Sequence, residues 1–377
     1  MTEAQSGRGR RRGRESRGAA NGGANGGSAV RFGRIALGGL LLLSLLLALF
    51  VATRFLGERQ PAPDLSQAPT PSQDAEDHAD AGLVHLYVMP EDGRQPVIDE
   101  IAAAERTITL HIYLLSDGAT INALEAAVGR GVAVRVLMEE HPFGGAGTQA
   151  AIFGRLATSG IDIRWGNPTF RFSHIKAMVI DGEAALIMNQ NLTRSAFDGN
   201  RELNVMTTRP TEVAQVAALF EADWERTAEP PAGSLIVSPT TSRGTMIGLI
   251  DGARRSLDLY AEVVRDRQMI DGLIAAAGRG VQVRLVMTGT ADDDNAEERA
   301  ELARAGVAVR LARGPYIHAK MILADGTQAF VGSQNLTATS LDLNRELGIV
   351  LDDRTSVRRA AETFAADFGA GTPEAES

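Results

Sequence analysis

Cysteine is absent from the 377 residues, which excludes disulfides and thiolate metal sites and leaves the redox compartment unreadable. Aromatic residues make up 5% of the chain. Lysine is nearly missing: of 38 basic residues, Lys176 and Lys320 are lysines and the rest arginines. The body also lacks positive charge. Residues 1–34 hold eight arginines and two glutamates, so the remainder of this chain of net charge −9 carries 30 basic and 45 acidic side chains, or −15. That balance argues against a general nucleic-acid binder, which needs a basic footprint. Long apolar runs are missing too, with one exception. Ile35 through Thr53 is an uncharged, leucine-dominated stretch of 19 residues bracketed by Arg34 and Arg54.

As a helix that stretch spans about 28 Å at 1.5 Å per residue, close to a bilayer's hydrocarbon thickness. It is expected to be a single transmembrane helix, with a cleaved signal peptide and secretion as the alternative. The arginines in front of it place the amino terminus in the cytoplasm and everything after Arg54 outside it. Residues 1–34 read as a disordered Arg-rich arm, 54–81 as a Pro/Ala-rich linker, 82–228 and 234–368 as two lobes, and 369–377 as a tail. A hydrophobic fraction of 44% allows a sizeable core, and the length suits two domains with extras.

What the chain does contain is a long repeat. Both lysines sit in the phrase His-x-Lys-x4-Asp-Gly, once as His174 to Gly182 and once as His318 to Gly326. Adding 144 maps His174–Leu203 onto His318–Leu347 without a gap, with 14 of 30 positions identical. Gln190-Asn191-Leu192-Thr193 and Asn200-Arg201-Glu202-Leu203 recur intact. A period this long is duplication of a whole domain rather than a solenoid. A chain that otherwise writes Arg, yet keeps Lys at two equivalent positions, needs an ammonium there, because a point charge on a flexible stem is not interchangeable with a planar fork.

Each half alternates helical and strand patterns, which predicts an α/β fold. In the first half helices are expected over 96–104, 120–129 and 148–159, and strands over 107–115, 132–138 and 161–165; the second half repeats the order from Met246. The motif itself reads as a hairpin. Period-two alternation puts His174 and Lys176 on one face, and Asp181-Gly182 supplies the turn.

These residues resemble the signature of the phospholipase D superfamily, His-x-Lys-x4-Asp-x6-Gly-Ser-x-Asn, over residues from about 82 to 368. The second copy matches through Gly332-Ser333-Gln334-Asn335; the first has Met188-Asn189 in place of Gly-Ser but keeps Asn191. The resemblance implies two α-β-α sandwich lobes about a pseudo-twofold axis, preceded here by the transmembrane helix, with both motifs facing one cleft. It also implies a phosphodiesterase acting without metal or other cofactor, through a covalent phosphohistidine. His174 is then the expected nucleophile and His318 the acid, with Lys176 and Lys320 on the phosphoryl oxygens. Asn189, Asn191, Ser333 and Asn335 are expected to bind phosphate as well. Family members orient each histidine with a downstream carboxylate; Glu202 lies 28 residues after His174 and Glu346 lies 28 after His318, and both are assigned that role. Asp181 and Asp325 are read as structural, stabilising the turn and the lysine. His111 and Tyr113 are candidates to line the cleft. The expectation is a monomeric, membrane-anchored enzyme hydrolysing phospholipid head groups, with cardiolipin synthase-like transfer, a superfamily nuclease and an inactive binding module as alternatives.

Overall fold

The computed structural model describes residues 82–143, 146–289 and 295–374. The apolar run at 35–53, the arm and the linker lie outside them. Among the described residues no helix is long and apolar enough to cross a membrane.

The first lobe runs β1 (Val84–Met89), α1 (Gln95–Ala103), β2 (Thr107–Ile112), α2 (Gly118–Gly129), β3 (Ala133–Met138), α3 (Ala146–Thr158), β4 (Asp162–Trp165), β5 (Ala177–Ile180), β6 (Ala184–Met188), α4 (Arg194–Asp198), β7 (Asn200–Thr207) and α5 (Pro210–Glu225). The second runs β8 (Leu235–Ser238), α6 (Ser242–Gly252), β9 (Ser256–Tyr260), α7 (Arg267–Gly278), β10 (Gln282–Met287), α8 (Ala296–Arg304), β11 (Ala308–Leu311), β12 (Tyr316–Ile317), β13 (Met321–Ala324), β14 (Gln328–Gly332), α9 (Ala338–Asp342), β15 (Glu346–Leu351), α10 (Arg354–Ala370) and β16 (Thr372–Pro373). Strands β1 and β8 were not among the expected elements. Each is short and follows a proline-bearing linker, and each is placed by antiparallel pairing to β7 or β15 from the far end of its lobe. The expected tail also differs: α10 continues to Ala370, and Thr372–Pro373 pairs with β11.

The two sheets share one strand order, β1-β7-β6-β5-β2-β3-β4 and β8-β15-β14-β13-β9-β10-β11. Alternation along β5 divides its side chains between two cores. Ala177 and Val179 enter a central cluster that also takes Met321 and Leu323 of β13, while Met178 and Ile180 enter a cluster with Leu124 of α2 and Ile101 of α1. The lobes are therefore joined by a common apolar core with α5 and α10 packed into it, and each carries its own outer helical layer.

The hairpin turns follow from chemistry. Asp181 and Asp325 adopt φ 54° and the following glycines φ 70°, the two positive dihedrals of a primed turn. Each aspartate spends its carboxylate on backbone N–H groups of the neighbouring strand entry: Glu105, Arg106 and Thr107 donate to Asp181, and Arg254, Arg255 and Ser256 to Asp325. Their hydrogen bonds go to backbone and none goes to the lysine, which corrects half of the expected role. The departure Met188-Asn189 also has a packing cause. Gly332 of β14 pairs with Gly348 of β15, and a Cβ on Gly332 would lie 2.6 Å from the Gly348 Cα. The equivalent pair in the first lobe is Met188 and Asn204, both with side chains. The two positions changed together across the repeat.

Candidate functional site

The segment leading into each His-x-Lys motif pairs with the other lobe. Tyr316–Ile317 runs parallel to Asn200–Arg201, and Ser173 bridges to Arg345 in the same sense. His174 N–H donates to the Arg345 carbonyl (2.8 Å) and His318 N–H to the Arg201 carbonyl (3.2 Å). The register therefore delivers the next residue of each Asn-Arg-Glu-Leu phrase to the opposite histidine. His174 Nδ1 lies 2.6 Å from Glu346 Oε2, and His318 Nδ1 lies 2.7 Å from Glu202 Oε2. The spacing of 28 residues had matched each glutamate with the histidine of its own lobe. The structure crosses them, because β7 and β15 run along the seam and face across it.

With Nδ1 engaged by a carboxylate, Nε2 is the free edge of each ring. Glu346 and Glu202 are both fully buried. Burial acts to raise the Glu346 carboxyl, but His174, Lys176 and the Ser340 hydroxyl outweigh it and hold it below the usual carboxylate range. Burial pushes the His174 imidazole down to about 4, Lys176 adding to the push and Glu346 opposing it. The ring is neutral at pH 7, with a lone pair on Nε2.

The lysines are 1% and 2% exposed. Lys176 Nζ donates to the His174 carbonyl (2.8 Å) and lies 5.0 Å from the centre of the Tyr113 ring. Burial, reinforced by Lys320, lowers it to about 7. Lys320 Nζ donates to the His318 carbonyl (2.6 Å) and to Glu262 Oε2 (2.8 Å). Glu262 was not foreseen. It can be found by extending the repeat upstream, where the offset is 149 (Gly129 on Gly278) and Tyr113 falls on Glu262. A tyrosine opposite a glutamate hides the equivalence. Burial acts to raise Glu262, but His318, Lys320 and His174 together hold its carboxyl far below the usual range.

The expected phosphate-binding residues divide. Asn189 is fully buried; it donates to the carbonyls of Gly332 and Lys320 and accepts from Leu203 N–H (2.9 Å). Ser333 is equally buried and exchanges hydrogen bonds with the Leu347 backbone. Asn189 braces the seam and Ser333 braces β15 within its own lobe, and the bonding capacity of both is used within the protein. Asn191 and Asn335 keep buried Oδ1 atoms without a protein partner, and Asn335 Nδ2 approaches Glu262 Oε2 at 3.4 Å. Tyr113 packs edge-on against His174, ring centres 4.4 Å apart. His111 lies behind the site, bonded to Ser173 Oγ (2.6 Å) and pushed down to about 3 by burial, Arg345 and Lys176. Glu139, also missed, accepts Ser173 N–H (2.6 Å) and fixes the approach to His174. Among the described residues no cluster of His, Cys, Asp and Glu could hold a metal.

The family description "Cardiolipin synthase, PLD-like domain" matches residues 97–224 and 246–368, one match per lobe. The chain belongs to this family of phospholipase D-like domains. It is 26% identical over 308 residues to cardiolipin synthase B of Salmonella typhi, covering 69% of this chain and 74% of that one. It is 28% identical over 158 residues to the mitochondrial cardiolipin hydrolase of Canis lupus familiaris, covering 41% and 62%. The solved phosphatidylserine synthase of Haemophilus influenzae has the same fold, with a TM-score of 0.62 at 12% identity over 78% of this chain and 88% of that one. As a phospholipase D-like domain the chain is placed among phospholipid-modifying enzymes.

Proposed function

We propose that this protein transfers a phosphatidyl group through a phosphohistidine. In the first step His174 Nε2 attacks phosphorus, the bond to the head-group oxygen breaks, and His318 Nε2 gives that oxygen its proton. In the second step an acceptor hydroxyl returns a proton to His318 and attacks phosphorus, and the P–N bond breaks to release neutral His174. Lys176, Lys320, Asn191 and Asn335 surround the phosphoryl oxygens. The observation that carries this reading is the crossed pairing, in which each imidazole has Nδ1 held by a buried carboxylate of the other lobe.

A lipid substrate is supported by the border of the site. Phe143, 89% exposed, donates its N–H to the Tyr113 hydroxyl, and the exposed Tyr316 donates its hydroxyl to Glu262. Apolar side chains at a mouth suit an acyl chain better than a polyanion, and the acidic body points the same way. For the acceptor, the alcohol of a second lipid is favoured over water by the similarity to cardiolipin synthase B. Hydrolysis is the second reading, favoured by the similarity to a cardiolipin hydrolase. We place the catalytic lobes outside the cytoplasm, attached through residues 35–53, on the arginine asymmetry alone.

The test is incubation of the full chain with phosphatidylglycerol, phosphatidylethanolamine and single-stranded DNA, with products identified by mass. A phosphatidyl-exchange lipid is expected. Phosphatidic acid alone would establish hydrolysis, and DNA cleavage without any lipid product would overturn the assignment.

A further inference from the structure

The pseudo-twofold axis equates the histidines, lysines and crossed glutamates of the site, and it fails beside the imidazoles at Tyr113 and Glu262 as it fails behind them at Glu139 and Thr288, which accept the Ser173 and Ile317 N–H groups. Each half supplies a histidine, a lysine bonded to that histidine's carbonyl, an asparagine and a crossed glutamate. Just past β2 stands Tyr113; at the equivalent place past β9 stands Glu262. The equivalence is structural as well as sequential. Two residues on, Leu115 bridges Leu192 as Val264 bridges Leu336, and Asp117 and Asp266 each cap the helix that follows. The half containing His318 therefore places a carboxylate 3.6 Å from its own imidazole Nε2. The half containing His174 presents an aromatic ring to its imidazole instead.

We infer that Glu262 is the residue that breaks the symmetry of the two histidines, keeping the proton on His318 Nε2 and so placing the departing and accepting alcohols on its own side of the cleft. This role of Glu262 deepens the proposed phosphohistidine chemistry, on which it rests. A carboxylate beside an imidazole favours its charged form, whereas an aromatic ring in a buried setting leaves the neutral form favoured. The charged and titratable groups around His318 are Glu202 on Nδ1, Glu262 near Nε2, Lys320 and His174. Lys176 faces the same groups from the other half, and Tyr316 reaches Glu262 from the segment preceding His318. Of these, Glu262 is the one whose counterpart in the other half is uncharged.

A second consequence follows from position. The alcohol oxygen must lie within hydrogen-bond reach of His318 Nε2, hence within a few ångströms of Glu262 Oε2. A hydroxyl or ammonium beside that oxygen can donate to the carboxylate, and an anionic substituent there is repelled. The substrate class implied is a polyol or amino-alcohol head group.

The test uses the full chain and Glu262→Gln, Glu262→Asp and Tyr113→Phe variants. Turnover is followed against pH on two diesters of one short-chain phosphatidyl group, one with ethanol and one with p-nitrophenol. The ethyl ester needs a proton on its leaving oxygen and the nitrophenyl ester does not. Glu262→Gln is expected to slow the ethyl ester about 100-fold, within the range for loss of a general acid, and the nitrophenyl ester less than about tenfold. The alkaline limb for the ethyl ester should move to lower pH, Glu262→Asp should recover part of the loss, and Tyr113→Phe should leave the limb in place. An equal loss on both esters with an unmoved limb would overturn the inference and leave a structural role. Nitrogen NMR of labelled histidine reads the same point without turnover: the protonated signal of His318 should persist to higher pH in the wild type than in Glu262→Gln. Identical titrations would overturn the inference even for a protein that acts on neither lipid, whereas a difference there without lipid turnover would refute the proposed function alone.

Discussion

Lys176 and Lys320 are nearly inaccessible, and each folds back to its own histidine's carbonyl. A guanidinium is larger and planar, and five donors have to be satisfied where an ammonium brings three. Lys176→Arg is therefore expected to cut turnover by about 100-fold, the scale of losing one preorganised donor to the transition state, while circular dichroism stays unchanged. Near-normal activity would show that positive charge alone suffices. Buried imidazoles also set a pH dependence of stability. His111 and His174 are pushed down to about 3 and about 4 from 6.5, burial being the first cause in both. Below pH 6.5 the unfolded chain binds more protons at these groups than the native one, so stability falls as pH falls toward 4. The slope should approach about 1.4 kcal/mol per pH unit for each group. Urea unfolding between about pH 6.5 and 4.5 measures it before most carboxylates titrate. His111→Asn should flatten the slope, and a pH-independent midpoint would refute the account.

At the scale of elements, the site depends on hairpins whose register is pinned from outside the cleft. Asp181 and Asp325 tie each turn to the entry of β2 and β9, so the strand that follows each lysine cannot slip against the strand that leads to Tyr113 or Glu262. In β14 and β15 the close approach of Gly332 to Gly348 allows Ser333 to bond the Leu347 backbone. A methyl group on Gly332 would meet the Gly348 Cα at 2.6 Å and the Leu347 carbonyl oxygen at 2.9 Å, both backbone atoms that cannot swing away. Gly332→Ala is expected to destabilise by about 1–3 kcal/mol in urea unfolding, the usual cost of overpacking. A neutral result would mean that the strand pair can take side chains at this position, as the paired strands of the first lobe do where Met188 faces Asn204.

The whole molecule is held as a reciprocal pair. Arg345 reaches from the second lobe to Asp223 of α5 at 2.9 Å and to Glu229, and Arg201 reaches from the first lobe to Asp367 of α10 at 2.7 Å. Arg345 is 1% exposed, so removing its charge strands a buried carboxylate. Arg345→Met should cost about 3–5 kcal/mol, and adding Asp223→Leu should recover most of it, because the larger penalty is the unpaired charge rather than the lost bond. Urea unfolding of the single and double variants decides this; equal instability in both would locate the cost in packing. Because Glu346 follows Arg345 directly, turnover should fall in the single variant along with stability. The same reciprocity makes the lobes interdependent: separated, neither would hold a histidine oriented on Nδ1.

The amino-acid sequence by itself determined the duplication, the alternation of helices and strands, and the histidines and lysines of the site. Those depend on local periodicity and on identities repeated at a fixed offset, and both can be read along the chain. Tertiary structure alone decided the partners. Which glutamate holds which histidine depends on β7 and β15 facing across the seam, a relation between strands more than a hundred residues apart for which spacing carries no information. Asn189 and Ser333 stand in motif positions expected to meet phosphate, yet burial turns their bonds to backbone carbonyls and amides, across the seam for Asn189 and within the second lobe for Ser333. Glu262 has no motif of its own. Its place beside His318 Nε2 comes from the carboxyl end of β9 pairing with β13, which brings a carboxylate to one imidazole where the other half has a tyrosine ring.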